Sequence, residues 1–147
     1  MKLIGLLAAV LMVMCLAAAV AAEVPAPLAV NNKAIGGGAL NQYTPGVENG
    51  VGLNNIGLLI KTWGRVTAVD TVNQFFYIDD GSGLLDGSGN VGVRVSYSNL
   101  APGNTITPPA LDSFVSVTCI SSTVVIADKI RPNLRPRRQA DIEVVSP

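Results

Sequence analysis

The chain has 147 residues, 49% of them hydrophobic, ten basic and ten acidic, and contains no histidine. Without imidazole there is no Ser-His-Asp or Cys-His catalytic set and no zinc site built on histidine. A formal net charge of zero gives no general pull toward nucleic acid or anionic membranes.

Lys2 is the only charge before Glu23, and the twenty residues Leu3 to Ala22 run from an apolar stretch into Ala19-Val20-Ala21-Ala22. This order predicts a secretory signal peptide over residues 1–22, cut after Ala21 or Ala22. A retained membrane anchor is the alternative, since that length just spans a bilayer. The alanine-rich second half suits a cleavage site better. Met14 precedes Cys15 where a lipidation signal needs a small residue, which argues against a lipid anchor. Cleavage leaves 125 of the 147 residues, enough for one modest domain, with nine basic side chains against ten acidic and a charge of −1. Cys119 is then the sole cysteine, so no intrachain disulfide forms and no structural zinc site can be built. The mature protein is expected to be secreted, periplasmic or at the cell surface, without stable membrane insertion.

Residues 23–57 read as an irregular segment. Pro25 and Pro27 block helix and ladder bonding near its start. Seven glycines between Asn31 and Gly57, with asparagines including 31, 32, 41, 54 and 55, favour turns. Ile35, Leu40, Tyr43, Val47, Leu53 and Ile56 make it too apolar for a plain linker, so it is expected to pack on the following domain. Disorder is the competing reading.

From Leu58 the pattern becomes period two, and residues 58–147 read as the structured domain. Leu58, Ile60, Thr62, Val66 and Ala68 make one face; Leu59, Lys61, Trp63, Arg65 and Thr67 make the other. Gly64 interrupts this strand, predicting a bulge or sharp coil there. Asp70 to Asn73 predicts a turn, Phe75 to Asp79 a second strand, and Val91 to Val95 a third. Three prolines between Asn99 and Asp112 exclude a long helix. Phe114 to Ile120 is the fourth strand, and Val124-Val125-Ile126 begins or edges another ladder. Asp141 to Val145 is the last. Five main strands with almost no helix predict an all-β fold, a small barrel.

The glycine-interrupted Trp63-Gly64-Arg65-Val66, the turn Phe76-Tyr77-Ile78-Asp79-Asp80-Gly81-Ser82-Gly83 and the strand Val115 to Ile120 together resemble an OB-fold. Leu134 to Ile142 matches the way such domains end. The run from Asn31, including Gly52-Leu53-Asn54-Asn55-Ile56-Gly57, is similar to a domain of secreted bacterial proteins of unassigned function. The resemblance implies a small five-stranded Greek-key barrel that binds a ligand, and leaves the ligand open. It departs from the OB pattern in two places: a proline-rich loop replaces the usual helix between strands three and four, and Cys119 stands where glycine is common.

Strand phase places Trp63, Phe75 and Tyr77 on the outer face of strands one to three, beside Lys61, Arg65 and Arg94. OB-folds bind oligonucleotides and oligosaccharides on that face. Exposed rings stack on bases, and equally on the apolar faces of sugars. The competing reading has residues 31–57 lying over these rings, because a soluble protein rarely leaves a large apolar patch open. Arg135, Arg137 and Arg138 belong to a basic run from Lys129, which Pro132 and Pro136 hold as an extended binding loop. The alternative is a solvated connection paired with Asp128, Asp141 and Glu143.

Asp79, Asp80 and Asp86, with Ser82, Ser88 and Asn90, offer hard oxygens in a glycine-rich loop. Tyr97 occupies the twelfth position of a loop that starts at Asp86, where a calcium loop needs a bidentate carboxylate, so a hairpin turn is expected instead. A glycosidase pair is rejected because acids in a turn have no apolar pocket to raise one pKa. Cys119 reads as a small buried apolar residue. No catalytic residue, metal site or cofactor is indicated. The expected role is a secreted, non-enzymatic module binding an extracellular polysaccharide or a protein partner. One alternative is single-stranded nucleic-acid binding through the outer face, against which export and the −1 charge both count. The other is a structural assembly unit on the cell surface.

Overall fold

The computed structural model describes residues 25–146. The signal peptide expected over residues 1–22 lies outside the described residues. The protein is all-β. Its strands are β1 (Leu28–Ala29), β2 (Leu59–Asp70), β3 (Phe75–Asp79), β4 (Val93–Ser96), β5 (Phe114–Ile126), β6 (Lys129–Arg135) and β7 (Ile142–Ser146). Two single 3-10 turns, Asn32–Ala34 and Gln139–Asp141, are the only helical pieces among the described residues.

The long β2 serves two neighbours. Leu59 to Arg65 pairs with β5, and Arg65 to Asp70 pairs with β3. β3 continues antiparallel into β4; β4 pairs in parallel with β6 through Arg94↔Asn133 and Val95↔Leu134; β6 returns antiparallel to β5. Since β5 also pairs with β2, five strands close into a ring, β2-β3-β4-β6-β5. The two-residue β1 lies parallel to β2, and β7 takes the edge of β5 that β6 leaves.

Two parts of this ring differ from the sequence expectation. The closing strand is β6, built from residues expected to form an extended basic loop. Val124 to Ile126 prolongs β5 to thirteen residues, and a turn at Ala127 and Asp128 folds the basic run back onto it. Pro132 is tolerated in that ladder opposite Thr123. The last expected strand exists as β7, but it pairs only with β5 and flanks the ring.

The bulge falls at Thr67, between Val66 and Ala68, and not at Gly64. One extra residue reverses the alternation beyond it. Val69 therefore pairs with Phe76 and packs on the core, while Ala68, expected inward, lies opposite Tyr77 on the outer face. Gly64 has a different task. It stays in register with Val115 where β2 passes from one neighbour to the other, and a Cβ there would stand 2.7 Å from the Asp79 backbone. Only glycine lets the two chains approach so closely.

Ile60, Val66, Phe76, Ile78, Val93, Val95, Val115, Val117, Cys119 and Leu134 fill the interior, each at most 1% exposed. The N-terminal segment enters at the end where β3 finishes. Ile35 joins the core at 1% exposure. Asn32, fully buried, donates its backbone N–H to Asp80 Oδ2 (2.8 Å) and its Nδ2 to the Ile78 carbonyl (3.0 Å). Its Oδ1 accepts from the Thr62 hydroxyl (2.9 Å). Asn55 repeats the device, accepting from Gly36 N–H and the Ser121 hydroxyl and donating to the Ala34 carbonyl. At the other end of β3, the helix-free loop 97–113 sends Ile106 against the core, and Tyr97 packs at 6.2 Å on Phe76.

Candidate functional site

The exposed aromatic surface lies on the outer face of β2 and β5. Trp63 points outward because Thr62 and Gly64 take the inner positions, and 52% of it is exposed. Lys61 and Arg65 flank it along β2, and Ser116 stands opposite on β5, followed by Glu143 on β7. Lys61 Nζ faces Glu143 Oε2 at 3.7 Å, and Arg65 Nη1 donates to Asp112 Oδ1 at 3.1 Å. Phe114, paired with Arg65, is 50% exposed on the same face. Half-open rings on a hydrogen-bonded sheet, set among mixed charges, leave aromatic faces open for stacking.

Residues 31–57 do not cover this face. They close the ring end instead, and Trp63 stays open. Phe114 was not among the residues expected here. Its signal was present: it shares the phase of Ser116 and Thr118, opposite to Val115, Val117 and Cys119.

The structure separates Phe75, Tyr77 and Arg94 from Trp63. These three sit on β3 and β4, beyond the Thr67 bulge. Tyr77 is fully buried, which corrects its expected place as an exposed platform. The glycine-rich loop after β3 folds back, and Asp86 Oδ2 accepts from the Tyr77 hydroxyl at 2.7 Å. Phase put Tyr77 on the outer face correctly; a loop then covered it. Phase alone carries no information about that cover. Phe75 meets Tyr77 edge-on at 5.8 Å, and the Arg94 guanidinium lies 3.8 Å from the Phe75 centroid. Arg94 Nε donates to Ser96 Oγ, which in turn donates to Asn133 Oδ1. This is an internal stack with its cation already placed.

Burial pushes the Tyr77 hydroxyl above its ordinary pKa, and its bond to Asp86 pushes the same way. Burial acts to raise the Asp86 carboxyl too, but bonds from Ser88 and Tyr77 outweigh it and hold that group below the usual aspartate value.

The basic run is engaged by partners within the protein, while Lys129, Arg137 and Arg138 stay exposed to solvent. Arg135 Nη2 donates to the Ser98 carbonyl at 2.8 Å. Arg137 grips Asp141 through Nε (3.0 Å) and Nη2 (2.9 Å), with its backbone N–H adding a third bond. Arg138 Nε lies 3.7 Å from the same carboxylate, whose side chain is 4% exposed. Burial favours the neutral form of Asp141, yet the Arg137 bonds prevail and keep its carboxyl low. Lys129 pairs with Glu48 at 3.3 Å. Of the three carboxylates expected to pair with this run, Asp141 does so, and Glu143 faces Lys61.

The acidic loop bonds its own backbone. Asp79 accepts from Gly83 N–H, Asp80 from Ser82 N–H, and Asp86 from Ser88 N–H. No three metal-ligating side chains are grouped among the described residues. Cys119 is buried, and desolvation, with Asp141 nearby, pushes its thiol up to about 12. A thiol held neutral in this way is a packing residue. No family model matches the chain, and no curated protein matches it.

Proposed function

We propose that the protein is an exported, non-enzymatic binding module of the OB type that takes an uncharged extracellular polysaccharide on the Trp63 face. Strand order supports the fold reading. β5 lies beside β2, giving the spatial order β5-β2-β3-β4 of a Greek key, and β6 closes the ring. The observation that carries the function is Trp63 itself, half exposed on a paired strand with Phe114 on the same face. A pyranose presents an apolar C–H face that fits the electron-rich face of an indole. Lys61, Glu143, Arg65 and Asp112 border the ring with donors and acceptors suited to hydroxyls.

These four charges cancel in pairs, so the face offers no net positive potential to a phosphate chain. Of the arginines that would have supplied one, Arg135 donates to the Ser98 carbonyl, and Arg137 and Arg138 both face Asp141. Both facts count against the nucleic-acid alternative, which depends on free cations along the groove. A protein partner is the second reading. Its support is Leu40, Tyr43 and Leu53, which the N-terminal segment exposes at 70%, 84% and 87%.

Affinity electrophoresis of the mature protein through gels containing neutral polysaccharides tests the proposal. Retardation that Trp63→Ala reduces by about tenfold or more, at the lower end of what one stacked ring contributes, is the expected result. Retention on oligonucleotides that collapses with salt would overturn it. So would retardation unaffected by the substitution.

A further inference from the structure

A second site lies far from Trp63 in character. A cavity of about 170 Å³ sits between the N-terminal segment, the acidic loop and β6. Ile35, Val47, Leu84 and Pro132 supply apolar walls, and Lys33 and Arg131 supply the cations. A dry cavity of about 150 Å³ is enough for a benzene ring.

The polar groups around it are unequally satisfied. Asn32 uses its amide on Ile78 and Thr62. Asp86 accepts from Tyr77 and Ser88, and Glu48 is balanced by Lys129. The cations remain: the Lys33 side chain has no ion-pair partner among the described residues, and Arg131 Nε is buried with no hydrogen-bond partner. A buried donor left unmade is costly, and a site often explains one. With Glu48 balanced, the cavity lining carries the two cations Lys33 and Arg131 against the single carboxylate of Asp86. One further negative charge brings the lining to neutrality; two would exceed it.

We propose that this cavity binds a small apolar monocarboxylate, its body against Ile35, Val47, Leu84 and Pro132 and its carboxylate between Lys33 and Arg131. Forked and charge-assisted donors favour a carboxylate over a neutral group of equal shape. This site stands independently of the polysaccharide reading, because it shares no residue with the Trp63 face.

Calorimetric titration of the mature protein with benzoate, beside the neutral isostere benzamide, tests it. Benzoate is expected to bind and benzamide to bind at least tenfold more weakly. Arg131→Met, which keeps the aliphatic reach, is expected to weaken benzoate by about tenfold, the loss of one charge-assisted bond. Lys33→Gln, at an exposed position, is expected to weaken it severalfold, and Leu84→Trp to block it by filling the space. Equal affinity for benzamide, no benzoate heat at tens of millimolar, or unchanged binding in Lys33→Gln would each overturn the proposal. Should Arg131→Met not fold, the Lys33 and Leu84 variants decide.

Discussion

Two residues away from the Trp63 face determine how closely the protein can pack. Gly64 admits the Asp79 backbone to where a Cβ would otherwise be. Gly64→Ala is therefore expected to cost about 2 kcal/mol, the scale of overpacking in a full interior, read as a lowered urea midpoint with unchanged slope. Asn32 joins the N-terminal segment to Ile78 and Thr62 inside the ring. Asn32→Ala leaves a buried carbonyl and a buried hydroxyl without their partner, so a loss of about 2–3 kcal/mol is expected in the same measurement. Asp141 holds Arg137 in a bidentate pair, but the arginine is half exposed, which discounts the bond. Asp141→Asn is expected to cost about 1 kcal/mol at neutral pH.

The strands show where sequence phase suffices and where it does not. β3 was readable to the residue, since Phe76 and Ile78 alternate with Phe75 and Tyr77 between two turns. β2 was readable as far as Val66. Beyond that, the Thr67 bulge moved Val69 inward and Ala68 outward, and an inserted residue leaves no mark on composition. β6 was hidden because arginines and Pro132 made a strand look like a loop. Its strand character comes from the β5 partner across the Ala127-Asp128 turn, a tertiary fact. At the candidate site, Trp63 and Arg65 were legible from alternation alone. Tyr77 was not, since its cover comes from a loop nine residues further on. The N-terminal segment carries Ile35 into the core, so Ile35→Ala is expected to cost about 3 kcal/mol by denaturant unfolding.

Across the whole molecule, the missing histidine reappears as a stability profile. Asp80, Asp86 and Asp141 all have carboxyls held below the ordinary aspartate value of 3.8. Stabilisation from a lowered carboxyl is present above the unfolded pKa and is lost as pH falls through the folded one. Tyr77 is raised above 10.0 and Cys119 from 9.0 to about 12, so each contribution is complete below its unfolded value and is lost as pH rises toward its folded pKa. No histidine titrates between these limits. Thermal unfolding midpoints are therefore expected to stay level from about pH 5 to 9 and to fall on both sides. Asp141→Asn should flatten the acid limb. A midpoint that moves steadily between pH 6 and 8 would contradict this assignment.

In the proposed binding mode, the open Trp63 ring on the outer face of β2 receives the polysaccharide. Trp63 is the only tryptophan, so its fluorescence reports on that face alone. The decisive measurement is its emission and acrylamide quenching in the mature protein, before and after a neutral polysaccharide retained in the electrophoresis is added. The structure predicts red-shifted, readily quenched emission that moves to the blue and becomes protected on binding. Emission already blue and protected in the free protein, or unchanged while the polysaccharide binds, would contradict the account.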